Sequence, residues 1–249
     1  MNILDEIVAN TKAKVSIAKE KVSLDDLAST IHSNKIIKSK FKASLKDKDQ
    51  AIIAEIKKAS PSAGVISENF DPVTKAKEYE SFGASALSIL TEEDYFLGST
   101  QYLKDVKKIS KLPILRKDFI VDIYQIYESK LIGSDCILLI ASILSDEELN
   151  DFTQLADTLG LDYIIEVHNE DELKRVQDFS EAIIGVNNRD LKSFTVDIEN
   201  SIRLKQLFNQ DNLFVAESGI KGQSDINKLL QHGINIFLIG ESLMKGDFA

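Results

Sequence analysis

At 249 residues the chain has room for one large α/β domain or two small ones, and 43% hydrophobic with 28% charged content is ordinary for a globular protein. Its formal net charge of −10 excludes general binding to nucleic acid or an anionic membrane surface, which require a basic face, yet leaves room for a small anionic substrate. No run is long enough to span a bilayer. The lone Cys136 cannot form an intrachain disulfide and sits in an apolar run as a buried structural thiol.

The first residues read as helix. Ile3, Leu4, Ile7 and Val8, then Val15 and Ala18, recur at helical spacing with lysines between them. Asp5 and Glu6 precede those lysines and no signal-peptide core follows, so a cytoplasmic location is expected. Ser23 caps a second short helix beginning at Leu24 and Leu27, with Asp26 three residues on. Residues 1–45 are therefore expected to form a helical extension, too short and too charged to hold a core alone, packed on a main domain of residues 46–249.

From Ala51 the chain alternates. Short β-rich apolar runs begin near Ala51, Ala86, Pro113, Cys136, Asp162, Ala182, Leu213 and Ile236. Amphipathic helical stretches lie between them at 73–82, 102–109, 123–131, 146–159, 171–179, 198–208 and 225–231. Gly83, Gly133, Gly160 and Gly233 each follow a helical stretch, where a left-handed residue ends a helix. Strands this uniformly apolar are covered on both faces, as parallel strands are. Eight such units predict an α/β fold made of a single (β/α)8 TIM barrel, rather than an open doubly wound sheet. Only residues 241–249 follow the eighth strand, which predicts a short last helix. Either the N-terminal extension or a second subunit would cover what it leaves bare; a monomer is expected, with a homodimer the alternative.

Side chains two apart on a strand face the same way, so the first inward row reads Ala51, Ile53, Glu55, Lys57. Four more apolar runs end alike, in Lys117, Glu166, Asn187 and Glu217. Charged groups closing apolar rows are costly to bury unless paired or functional. Any one of them could be half of a structural ion pair. Five polar tips at the catalytic end of a barrel point instead to general acid–base chemistry by lysines and carboxylates.

The sequences Glu217-Ser-Gly-Ile220 and Ile239-Gly-Glu-Ser-Leu243 follow the last two strands, where such barrels bind phosphate. They nominate Ser218, Gly219, Gly240 and Glu241, the last through its main chain with its carboxylate turned away. Lys58-Ala-Ser-Pro-Ser62 reads either as a solvated connection or as a mobile lid whose Ser60 reaches the ligand. Arg189 could hold a substrate carboxylate or clamp an acid such as Glu217. Phe96, Phe119 and Leu191 could wall an aromatic substrate or simply pack locally. His32, His168 and His232 are scattered, and neither metal-ligand spacing nor a nucleotide-binding glycine motif occurs, so no metal and no cofactor are expected.

Seven ordered segments then match a known family. They are Ile53-Ala-Glu-Ile-Lys-Lys-Ala-Ser-Pro-Ser62, Leu87-Ser-Ile-Leu-Thr-Glu-Glu-Asp-Tyr-Phe96, Leu115-Arg-Lys-Asp-Phe-Ile120, Ile165-Glu-Val-His168, Gly185-Val-Asn-Asn-Arg-Asp-Leu191, Val215-Ala-Glu-Ser-Gly-Ile220 and Leu238-Ile-Gly-Glu-Ser-Leu-Met244. With them the chain resembles indole-3-glycerol phosphate synthase over nearly its full length, helical extension included. The resemblance implies cofactor-free closure of an indole ring on a phosphorylated substrate. It makes Lys117 the general acid, gives Glu55, Glu166 and Lys57 the later proton transfers, and has Asn187 and Ser218 orient the reacting groups. It also implies a phosphate site at Ser218, Gly219, Gly240 and Glu241, and an anthranilate pocket at Phe96, Phe119 and Leu191. The rivals are another phosphosugar barrel enzyme such as phosphoribosylanthranilate isomerase, a Schiff-base aldolase using Lys117 or Lys57, and a non-catalytic barrel.

Overall fold

The computed structural model describes residues 3–33, 35–190 and 193–248. Eight parallel strands close into a barrel: β1 Ala51–Ile56, β2 Ala86–Leu90, β3 Ile114–Lys117, β4 Cys136–Ile140, β5 Asp162–Val167, β6 Ile183–Asn187, β7 Phe214–Glu217 and β8 Ile236–Ile239. Closure runs through β1 and β8, with Ala51 opposite Ile236 and Ala54 opposite Ile239. The strand starts expected from sequence hold to within one residue.

Alternation along each strand divides the core in two. Inward residues such as Ile53, Leu115, Ile164 and Val215 fill the barrel, together with Cys136, Leu138 and Ile140. Outward residues such as Ile52, Ile56, Leu87, Ile137 and Ile165 pack beneath the surrounding helices. Both faces are dry, which is why the strands carry β-branched residues in nearly unbroken runs. The thiol of Cys136 is fully buried inside the barrel.

The helices are closed by local chemistry. Asp71, Ser99, Asp122, Ser145 and Asn169 cap helix N-termini with side-chain oxygens, each cap worth about 1 kcal/mol. Gly83 and Gly133 end helices in the left-handed region at φ 94° and 93°.

Three helices precede the barrel: α1 Ile3–Lys21, α2 Leu24–His32 and α3 Phe41–Leu45. Ser23 and Asp26 form the reciprocal cap at the start of α2. The short α3 was not foreseen as a separate element. Its Phe41 and Leu45 are fully buried and belong to the barrel-interior cluster, so they plug the bottom of the cylinder. α1 runs to the opposite end, where Lys14 pairs with Asp94 at 2.6 Å and Lys19 with Asp122 at 2.7 Å. Those exposed pairs contribute little, and the buried Ile7, Thr11 and Val15 carry the packing.

Two connections differ from expectation or complete it. The segment after β1, expected as an open loop, folds into a small hairpin pairing Ala59–Ser60 with Gly64–Val65. Gly64 supplies the positive φ of 65°, and the Ser60 hydroxyl accepts the Ala63 N–H at 3.2 Å. The last helix, Glu241–Lys245, is short as foreseen, and the chain beyond it turns back so that Phe248 packs on Phe82 edge-to-face at 6.0 Å. No described helix is long and apolar enough to cross a membrane.

If Phe41 closes the barrel floor, Phe41→Ala leaves a cavity no neighbour can fill. The expected loss is about 3–5 kcal/mol of unfolding free energy in a denaturant melt. A loss below about 1 kcal/mol would contradict that role.

Candidate active site

The odd-numbered strands place one charged side chain each at the upper rim: Glu55 from β1, Lys117 from β3, Glu166 from β5 and Glu217 from β7. Layers drawn from alternate strands are how barrel interiors fill, and here the top layer is ionic. Lys117 Nζ donates to Glu166 Oε2 at 2.7 Å and to Glu217 Oε2 at 2.8 Å. Glu55 Oε1 accepts from Lys57 Nζ at 2.7 Å, and Ser88 Oγ lies 3.5 Å from its other oxygen. Asn187 Nδ2 donates to Glu166 Oε1 at 3.1 Å.

Two of the carboxylates fit in this layer because glycines stand beside them. A Cβ on Gly185 of β6 would collide with Glu217 Oε1, and one on Gly240 after β8 would collide with Glu55 Oε1. Gly240 thus gives Glu55 its space, a role beyond the phosphate contact expected from sequence. A glycine inside a strand signals such a close approach, so Gly185 was findable and was missed.

The two carboxylates flanking Lys117 are driven in opposite directions. Burial alone would draw the Lys117 ammonium down, but Glu166, Glu217 and Glu55 outweigh it and hold it well above the ordinary lysine value. Burial likewise opposes ionisation of Glu166, yet Lys117 and His168 together keep it well below the usual carboxylate range. Glu217 shares only Lys117. Burial, and repulsion from Glu166 and Glu55, push it above the usual carboxylate range, and its Oε1 has no hydrogen-bond partner among the described residues. Their surroundings push the two groups apart, Glu166 toward the anion and Glu217 toward the protonated acid.

These residues line one cavity of about 730 Å³, a size suited to a ligand of a few tens of atoms. It brings together Glu55, Lys57, Ser60, Phe96, Lys117, Phe119, Glu166, Asn187, Arg189, Glu217, Ser218, Gly219, Gly240 and Glu241. Leu191 falls outside the described residues. Phe96 and Phe119 stand 6.0 Å apart with rings tilted by 41°, forming an aromatic wall. Ser218 has φ 67° and Gly219 φ 81°, consecutive left-handed residues that are strained for serine and mark a constrained turn. A Cβ on Gly219 would strike Val196.

Arg189 does not clamp Glu217, whose partner is Lys117. Its guanidinium lies 3.7 Å from Glu241 Oε2 and donates to the Phe194 carbonyl at 3.4 Å. Arg189 pairs with Val196 in an isolated antiparallel bridge. The Glu241 carboxylate is engaged mainly by Lys245 at 2.7 Å.

Two contributors were not foreseen. Ile3, Leu4 and Ile7 of α1 join the cavity wall, although their spacing in sequence showed only an amphipathic helix. His168 and Glu172 back Glu166 from behind. His168 Nδ1 is 3.1 Å from Glu172 Oε2, and its Nε2 is 3.3 Å from Glu166 Oε1, close enough for ion pairing but not aligned as a hydrogen bond. The signal available was the spacing His168-Asn-Glu-Asp-Glu172 across a helix cap.

Comparison with known proteins agrees with this geometry. The profile of the indole-3-glycerol phosphate synthase family matches residues 4–248. An indole-3-glycerol phosphate synthase from Ruminiclostridium cellulolyticum is 49% identical over 246 residues, 98% of this chain and 94% of that one. One from Clostridium acetobutylicum is 49% identical over 243 residues, covering 98% and 92%. Among solved structures, a mutant tryptophan synthase alpha-subunit from Pyrococcus furiosus aligns with TM-score 0.61 at 17% identity over 78% of this chain and 88% of that one, a likeness of fold alone.

Two outcomes test the packing and charges of this layer. Gly185→Ala should cost about 1–3 kcal/mol in a denaturant melt, because Glu217 must move; an unchanged melt would refute the contact. Burial disfavours the His168 imidazolium, but Glu166 and Glu172 outweigh burial and raise it from 6.5 to about 10. Its contribution to stability is therefore complete below pH 6.5 and is lost as pH rises through about 10. The stability gap between the unaltered chain and His168→Gln should shrink across that window, and a constant gap would contradict it.

Proposed function

The chain belongs to the indole-3-glycerol phosphate synthase family, carboxy-lyases of tryptophan biosynthesis, and on that premise we propose how its residues divide the reaction. The substrate is 1-(2-carboxyphenylamino)-1-deoxyribulose 5-phosphate, and the product indole-3-glycerol phosphate forms with release of carbon dioxide and water.

In the first step the ring carbon bearing the carboxylate attacks the ribulose ketone. A C–C bond forms as the carbonyl π electrons move to oxygen, and the Lys117 ammonium gives that oxygen its proton. Carbon dioxide then leaves and returns its bonding pair to the ring, restoring aromaticity. In the last step the new hydroxyl departs as water, taking a proton from an acid, while a base removes one from the methylene beside nitrogen. We assign this exchange to the Glu55–Lys57 pair and Glu166, which stand around the same mouth as Lys117. Asn187 and Ser218 orient the reacting groups.

Phe96 and Phe119 form the wall against which the anthranilate ring rests, and Arg189 and Ser60 lie at the rim where the substrate's outer groups would pass. Ser218, Gly219, Gly240 and Glu241 form the phosphate end, with Glu241 contributing its main chain because Lys245 and Arg189 occupy its carboxylate. A cytoplasmic monomer is part of the same proposal.

The observation that carries the reading is Lys117, a half-buried cation between two buried carboxylates on the floor of an aromatic-walled cavity. Lys117→Ala should lower turnover by about a thousandfold with the fold intact by circular dichroism, followed through indole fluorescence on adding the substrate. Turnover within about tenfold of the original would remove the acid role. Borohydride added with substrate should trap nothing, since Lys117 acts as an acid and not as a Schiff-base nucleophile; a trapped adduct would favour the aldolase alternative. Gly219→Leu, which forces a side chain onto Val196, should act mainly by raising KM. A fall in kcat alone would contradict the phosphate assignment.

A further inference from the structure

The oxygen of Glu166 that Lys117 does not hold faces a second cationic group, and none of the roles above uses it. His168 follows Glu166 at the end of β5 and is largely buried. Glu172 fixes its ring: Oε2 lies 3.1 Å from Nδ1 and accepts the His168 backbone N–H at 2.8 Å. Glu172 is itself held, with Oε1 accepting from Asn169 Nδ2 at 2.7 Å and its N–H donating to Asn169 Oδ1 at 3.0 Å. Asn200 of the following unit donates to the His168 carbonyl at 3.0 Å. With the ring fixed, Nε2 lies 3.3 Å from Glu166 Oε1, the oxygen to which Asn187 Nδ2 also donates at 3.1 Å, and it is buried with no hydrogen-bond partner among the described residues. The ionisable groups facing the ring are Glu166 and Glu172, with Lys117 beyond Glu166 on its other oxygen.

We propose that His168 is a positioning residue for ring closure: oriented by Glu172, its imidazolium holds the second oxygen of Glu166 and keeps that carboxylate anionic while Lys117 gives up its proton. The inference rests on the acid role of Lys117 given above. Its reason is the sharing of one cation by two buried carboxylates. Once Lys117 is neutral, two anions so close cannot both stay ionised, and the site takes up one proton from solvent water at the cavity mouth. Glu166 retains partners in His168 and Asn187 and Glu217 retains none among the described residues, so the proton goes to Glu217 and Glu166 remains the anion. The histidine thereby keeps Glu166 as the base for the later transfer assigned to it above.

The first test needs no variant. With histidine labelled by ¹⁵N, nuclear magnetic resonance on the intact chain should show both nitrogens of His168 protonated at pH 8, where an ordinary imidazole of pKa about 6.5 is neutral. The chain has only three histidines, and loss of one signal in His168→Gln assigns it. A neutral His168 at that pH overturns the proposal whatever the fate of the Lys117 assignment. In kinetics, His168→Gln should lower kcat about tenfold, leave KM within about twofold, and move the acid limb of the kcat profile upward by about one pH unit. The direction follows because Glu166, deprived of a cation, protonates at higher pH. A fall in kcat with the acid limb unmoved would mean a merely structural role and would overturn the inference. Should that variant not fold, Glu172→Gln keeps an acceptor for Nδ1 while removing the charge. It should shift the limb the same way by a smaller amount, and an unshifted limb overturns the inference equally.

Discussion

The ion cluster in which Lys117 sits between Glu166 and Glu217 is the constraint on which the rest of the structure depends. Three strands must deliver their tips to one point for it to exist, with hydrogen bonds of 2.7 and 2.8 Å. Only a closed barrel of fixed register does so, because β3, β5 and β7 are not neighbours. Burying such a cluster does not stabilise a fold, since desolvating the charges costs about as much as their attraction returns. Its persistence is therefore an argument about chemistry, and the apolar layers beneath it must supply the stability.

Those layers are arranged to serve it. Phe41 and Leu45 close the far end, and Ile53, Leu115, Ile164 and Val215 fill the level below the charges. The strand carrying Lys117 is fixed from behind by Arg116, which points outward and is tied to Asp118 at 3.0 Å, Glu128 at 2.7 Å and Ser129 at 3.1 Å. Adjacent residues on one strand thus divide the work: one is locked among helices and its neighbour faces the substrate space. Gly185 and Gly240 complete the arrangement by their lack of a side chain, which leaves the carboxylates of Glu217 and Glu55 somewhere to stand.

Much of this was legible in the residues because it follows from periodicity. Uniformly apolar runs marked the eight strands, and the period of two along a strand put Glu55, Lys117, Glu166 and Glu217 on the inner face. What escaped depends on which segments meet in space. The amphipathic pattern of α1 did not reveal that Ile3, Leu4 and Ile7 reach the cavity, since that follows from where the helix is tied. Arg189 could be given a substrate carboxylate or a nearby acid, and the structure puts it 3.7 Å from Glu241. His168 was set aside as a metal ligand because no ligand spacing surrounds it, and its pairing with Glu166 arises within one strand end whose side-chain directions sequence does not fix. The unlike ionisation of Glu166 and Glu217 was equally hidden, because both appear as a carboxylate ending an apolar strand.

The central claim is that Lys117, held by those two carboxylates, is the group that meets the reacting carbonyl. A crystal structure with the analogue whose ketone is reduced to an alcohol tests this most directly, since that ligand cannot cyclise. The account predicts the alcohol oxygen within hydrogen-bonding distance of Lys117 Nζ, the aromatic ring against Phe96 and Phe119, and the phosphate at Ser218 and Gly219. An alcohol oxygen bound to Lys57, with Lys117 still enclosed by Glu166 and Glu217 and out of reach, would contradict it.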